Sequence, residues 1–187
     1  MKTILTLLLV STLATSAFAQ DSATVERNEY LKVKQNPCNA IAEKYDEFEQ
    51  IRYVYTSFAP TSYEIKQSIK NGNKLPMYNC NLIKATEKGK VSFLLNLTAD
   101  AEDEADDNNG VIIILKSGKR LVKPAQLVQT ETENDVTQRK SMILLTAADI
   151  ALLKTSPILK FKLYDTAVDN IEPDSRYQEF LCLFSRK

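Results

Sequence analysis

The chain contains no histidine and no tryptophan. Histidine is the side chain whose ordinary pKa lies between about 5 and 8, and it is the commonest general base and metal ligand. Its absence removes Ser-His-Asp and Cys-His nucleophile activation and every His-ligated zinc site. The missing tryptophan takes away the strongest aromatic platform for a sugar ring, leaving eight tyrosines for that role. An excess of one charge is lacking too. The 24 basic residues meet 24 acidic ones, so there is no basic stripe of the kind a nucleic acid requires. Nor is any apolar run long enough to cross a bilayer, which takes about 20 residues. The longest beyond the N-terminus are residues 111–115 and 142–153, the second broken by Thr146 and Asp149. No repeat of solenoid period and no Pro/Ser-rich linker divides the sequence.

What is present begins with an export signal. Lys2 forms a short positive region, residues 4–13 an apolar one, and Ala17-Phe18-Ala19 a small-residue cleavage site, the order of a secretory leader. Ser11, Thr12, Thr15 and Ser16 interrupt the run and rule out a stable span. The first cysteine, Cys38, is far beyond any lipid-attachment position. The expectation is cleavage near Ala19, residues 20–187 as a single globular domain, and a periplasmic or secreted location. Lys2 is the one charge in the leader, so the mature product stays near neutrality. Cys38, Cys80 and Cys182 all survive cleavage. An oxidising compartment admits any one of three bridges among them, and the alternative is three buried thiols.

Hydrophobic rhythm gives a β-rich order. Residues 29–34 read as a first strand. After Pro37, the apolar positions Ile41, Tyr45 and Phe48 recur at steps of four and three, which predicts a helix. Residues 51–55 alternate as a strand, 62–68 more weakly so, and Asn71-Gly72-Asn73 marks a turn. Residues 77–84 and 90–98 predict a hairpin around Thr86-Glu87-Lys88-Gly89. An acidic loop spans 100–110. Residues 111–116 predict a buried strand, and Ser117-Gly118 turns the chain into a return strand at 119–122. Two further strands are read at 126–131 and 138–145. Thr146-Ala147-Ala148-Asp149 is a capping box with Asp in place of Glu, opening a short helix that ends before Pro157. Residues 158–164 read as a strand, and Tyr177, Phe180, Leu181 and Phe184 fall on one helical stripe. The sum is an α+β fold, mainly antiparallel β as a sheet or sandwich, with two or three short helices packed against it.

Three features bear on chemistry. In the acidic loop, Asp103, Asp106, Asp107 and Asn109 supply the oxygen ligands that calcium takes. The EF-hand pattern fails, because Gly110 in the sixth position puts Ala105 first and Lys116 twelfth. The bland alternative is a solvated charged loop. A carboxylate pair needs no histidine, and Glu47, Glu49, Glu64, Asp149 and Asp165 are available for glycoside hydrolysis. Lys116, Lys119 and Arg120 near Gly118 suit an anion or, more simply, guard a strand edge. Tyr53 and Tyr55 share one strand face. The sequon Asn96-Leu97-Thr98 sits inside an apolar strand, which argues against a modified surface site.

The succession Asp46-Glu47-Phe48 with Tyr55-Thr56-Ser57, then Gly110-Val111-Ile112-Ile113, then Leu145-Thr146 with Asp149-Ile150, then residues 158–164, resembles exported proteins of uncharacterised function found in Bacteroidota. The resemblance spans most of the mature chain and implies a secreted or periplasmic compact domain, without a catalytic motif. The functional expectation is therefore an exported, non-enzymatic domain that binds a partner or ligand in the envelope or outside the cell. The rivals are a carboxylate-dependent glycan hydrolase and a calcium-dependent binding module.

Overall fold

The computed structural model describes residues 36–56, 78–101, 107–133, 136–169 and 173–186. The leader, the strands read at 29–34 and 62–68, and the Asn71-Gly72-Asn73 turn lie outside them. Among the described residues a 3-10 turn (Pro37–Ala40) precedes β1 (Ile41–Asp46), β2 (Ile51–Thr56), β3 (Tyr78–Glu87), β4 (Lys90–Ala101), β5 (Asn108–Leu115), β6 (Arg120–Glu133) and β7 (Val136–Leu144). Then come α1 (Ala147–Leu153), β8 (Ile158–Leu163), β9 (Thr166–Val168) and α2 (Pro173–Ser185). These elements belong to one unit, Pro37–Ala59 with Pro76–Lys187. All strand pairs are antiparallel. The sheet runs β1-β2-β3-β4-β7-β6-β5-β8-β9. The mainly antiparallel α+β fold expected from the sequence is the fold the chain adopts. No helix among the described residues is long and apolar enough to cross a membrane.

Two-residue alternation sets the inner face. Cys80 and Leu82 on β3 stand opposite Leu97 and Leu95 on β4, which face Ser141 and Ile143 on β7. All are buried. On the far side of the sheet Val111 and Ile113 of β5 meet Leu163 and Phe161 of β8, also buried. Each such apolar side chain contributes roughly 1.5 to 3 kcal/mol when taken out of water. The two halves close on each other where Tyr78 of β3 meets Phe161 of β8 edge-on, ring centroids 6.2 Å apart. β9 likewise comes against β4.

The fold-over is made by β6, whose first half pairs with β5 and second half with β7. The sequence suggested two strands here, at 119–122 and 126–131, and the structure has one. Pro124 explains the apparent break, because it lacks an N–H. It is tolerated where the β5–β6 register shifts between Asn109 and Val111. Gly110, with φ +115°, makes that shift, a conformation L side chains rarely adopt. Lys116, Lys119 and Arg120 lie exposed near the β5–β6 hairpin. They do not guard an edge, since both strands are internal and the edges are β1 and β9.

The helix read from Ile41, Tyr45 and Phe48 is the clearest correction. After the 3-10 turn the chain is strand β1, paired to β2 from Ile41 opposite Thr56 to Asp46 opposite Ile51. A spacing of four returns a side chain to the same face of a strand as well as of a helix. Ile41 and Tyr45 therefore fit both, and pairing with β2 decides for strand. Phe48 then falls in the turn. The three-residue β9 escaped the sequence reading for want of length.

Both helices occur where capping and stripe foretold them. Thr146 Oγ1 accepts from Asp149 N at 3.2 Å, and Asp149 Oδ2 accepts from Thr146 N at 2.9 Å, the reciprocal bonds of a capping box. Lys123 Nζ of β6 donates to the same Asp149 oxygen at 2.7 Å. Burial acts to raise the Asp149 pKa, but the hydrogen bonds from Lys123 and Thr146 outweigh it and hold the carboxyl below its usual 3.8. A depressed folded value means that the contribution is present above about pH 4 and is lost as pH falls through the lower folded pKa. Asp149→Asn is expected to lower stability by about 1 kcal/mol at neutral pH and to converge with wild type as pH falls through the lowered folded value. Thermal melts across that range check it.

α2 packs on the inner face with Phe180 and Leu183 buried. Phe184 lies against Phe93 of β4 at 5.3 Å between centroids, with Lys154 Nζ 5.4 Å above the Phe184 ring. Tyr177 donates to Lys154 O at 2.6 Å, and Lys84 Nζ donates to Arg186 O at 2.6 Å. The half-buried Cys182 is bonded to the exposed Cys38 of the 3-10 turn. Of the three bridges left open by the sequence, the structure takes Cys38–Cys182, while Cys80 is buried in the core.

Candidate functional site

The acidic loop is only partly described, since Asp103 and Asp106 lie outside the described residues. Asp107 is at the foot of β5, where its Oδ1 accepts from Thr130 N of β6 at 2.8 Å. It thereby extends the β5–β6 pairing past its last backbone pair, Asn108 opposite Val128. Asn109 is exposed, and its N–H donates to Asn108 Oδ1 at 3.2 Å. Among the described residues no three His, Cys, Asp or Glu side chains stand close enough to hold a metal ion.

The carboxylates considered for catalysis are dispersed. Glu64 is outside the described residues. Glu47 and Glu49 are exposed in the β1–β2 turn. Asp149 is engaged by Lys123 and its own helix cap, and Asp165 by Arg139. The four described carboxylates therefore sit on three separate features: one surface turn, the start of α1 and the β8–β9 turn. Tyr53 and Tyr55 point away from the helices on a half-buried sheet face. The Tyr53 pKa is raised, first by desolvation and then by the neighbouring carboxylates Glu49, Asp46 and Glu87. In the sequon, Asn96 Nδ2 donates to Asn81 Oδ1 at 2.9 Å across the β3–β4 pair, so the nitrogen that would carry a glycan is engaged.

One polar cluster lies inside the fold. The Arg139 side chain on β7 has no exposed surface, yet its Nε stands 3.0 Å from Asp165 Oδ1, a carboxylate that is 48% exposed. Arg139 also donates to Thr166 Oγ1 at 2.9 Å and to Thr130 Oγ1 at 3.1 Å, and its guanidinium sits 5.6 Å from the Tyr164 ring centroid. Tyr164 has φ +54°, a left-handed conformation that costs a non-glycine residue energy. The arginine clamps that turn against β6 and β7. A planar guanidinium held by fixed partners is a structural tie rather than an acid or base.

The remaining chemistry is apolar and faces outward. On the sheet face opposite α2, directly paired residues form a row across the strands: Ala42, Tyr55, Ile83, Leu94 and Leu144. The row is half-buried at the β1–β4 side and exposed at Leu144. Met142 of the same strand β7 and Leu127 of the neighbouring β6 are exposed too. A second exposed group, Tyr45, Phe48 and Val91, lies at the sheet end formed by the β1–β2 and β3–β4 turns. Contiguous exposed apolar side chains mark interaction surfaces more often than isolated ones do. Alternation in the sequence announced that one face of each strand is apolar, but gave no means to tell the covered face from the open one.

No protein-family model, curated protein or solved structure matches the chain.

Proposed function

We propose that this chain is an exported, non-enzymatic domain that binds a partner in the cell envelope or outside the cell through apolar side chains left exposed on its sheet. The observation that carries this reading is the exposed set Leu127, Met142 and Leu144, of which Leu144 ends a row of directly paired apolar residues. Two further features support it. The Cys38–Cys182 bridge suits an oxidising compartment, in line with the leader at residues 1–19. The carboxylates of the rival glycan hydrolase, where described, are engaged by cations or open to water on separate features.

A photo-crosslinking residue at Leu144, expressed in the producing cell, is expected to give a discrete adduct in the envelope or secreted fraction. The same probe at the exposed Lys119 gives none. In parallel, the purified protein is expected to release no reducing ends from a panel of envelope and dietary glycans. Release that disappears on changing a single carboxylate to its amide would establish the hydrolase instead.

A further inference from the structure

The β1–β2 turn carries a side chain that the fold does not use. Phe48 is 100% exposed at its tip, while every other phenylalanine among the described residues is at least half covered. The tip is nevertheless well ordered. Asp46 Oδ1 accepts from Phe48 N at 3.0 Å and from Glu49 N at 3.1 Å, fixing the peptide that bears the ring. The exposure is not confined to one residue. Tyr45, Arg52, Thr86 and Val91 stand directly opposite one another on successive strands, hence on one face. That face is the one bearing α2, because the next row holds Lys84 and Phe93, which bind Arg186 O and the Phe184 ring. Tyr45 and Val91 at the ends of the outer row are exposed. At strand spacings of about 4.8 Å they lie roughly 14 Å apart. An aromatic knob in the β1–β2 turn and an apolar ledge on the adjoining strands thus share one end of the sheet.

Charge within the turn itself has one sign. Residues Asp46, Glu47 and Glu49 surround Phe48 without a base among residues 46–50. Of the nearby cations, Arg52 is paired with Glu43 at 2.6 Å and Lys88 lies 3.8 Å from Glu87, while Lys44 and Lys90 border the ledge beside Tyr45 and Val91. We infer that Phe48, with Tyr45 and Val91, is the anchor of a protein-docking surface whose partner is a polypeptide segment offering an apolar pocket or side-chain cluster rimmed by lysine or arginine. An anionic membrane surface has the wrong sign for this tip, so the chemistry points to a polypeptide. The inference rests on the reading of the chain as a binding domain and names the chemistry of its partner.

The test uses the purified protein and a displayed library of random twelve-residue peptides, without reference to a natural partner. Selected peptides are expected to be enriched in apolar residues flanked by lysine or arginine, and to lose at least tenfold in affinity for Phe48→Ala, a change at a fully exposed position that leaves the core untouched. The double variant Glu47→Gln/Glu49→Gln is expected to bind more weakly and with a flatter dependence on salt. Peptides that bind Phe48→Ala as well as wild type would overturn the docking surface while leaving the binding-domain reading intact. Failure to select any peptide would overturn both. Phe48-dependent binding to vesicles of anionic lipid would replace the polypeptide with a membrane.

Discussion

Replacing Cys38 and Cys182 together by serine is expected to lower the unfolding free energy by about 4 kcal/mol. The two cysteines are separated by 144 residues. A cross-link that closes so long a loop removes much of the freedom of the unfolded chain, and in the chain-entropy account its effect grows with loop length. The bridge ties the turn before β1 to α2, the helix that covers Phe93 and the inner face. Without it α2 retains the Tyr177–Lys154 and Lys84–Arg186 bonds and its buried Phe180 and Leu183. The double-serine protein should therefore fold, with a lower midpoint in denaturant. Unfolding curves for the two proteins measure the difference directly. A change below about 1 kcal/mol would mean that packing alone holds the helix.

The second large effect concerns the clamp at the β8–β9 turn. Asp165→Ala is expected to cost about 3 kcal/mol, because it withdraws an anion from a guanidinium that has no exposed surface. Among its described contacts, the hydroxyls of Thr130 and Thr166 remain as acceptors for Arg139, and neither carries a charge. The reverse change behaves differently. Arg139→Met fills a similar volume with an apolar side chain and leaves Asp165 half in water, so it should cost far less. The double variant Asp165→Ala/Arg139→Met should recover much of what Asp165→Ala loses, as expected when a buried ion is replaced by a hydrophobe. A double variant as unstable as Asp165→Ala alone would show that the cost lies in the turn itself.

Local signals in the sequence were reliable where a single physical requirement decided the outcome. The capping box at Thr146 and Asp149 forms as read, because both of its hydrogen bonds are made within four residues. Strand β4 follows from alternation, since it buries one face against its partners, and β5 from an apolar run too short for a helix, although only its alternate residues Val111, Ile113 and Leu115 are buried. Residues 41–48 were misread because a spacing of four suits a helix and a strand alike, and only the pairing of β1 with β2 chooses. The break seen at Pro124 was real at the level of one N–H, but the strand passes through it at a register shift. The partners of Cys38 and the inward turn of Arg139 depend on contacts more than twenty residues apart in sequence, which periodicity does not encode. The same holds for the open apolar surfaces. Leu144 and Leu97 look equivalent as residues, yet one faces solvent and the other has no exposed surface. Phe48 belonged to the apparent helical stripe, and its exposure emerged only once that stripe became a strand and a turn.

The central claim is that this chain acts as an exported domain whose C-terminal helix is locked onto a folded antiparallel sheet by one oxidised bridge. Intact-mass and peptide-mapping measurements on the protein recovered from its producing cells test this most directly. The expected product begins at Gln20, free or cyclised, and contains a Cys38–Cys182 linked peptide, with Cys80 labelled by an alkylating agent only after unfolding. A product that retains Met1 and takes up label at all three cysteines would contradict both the export and the lock.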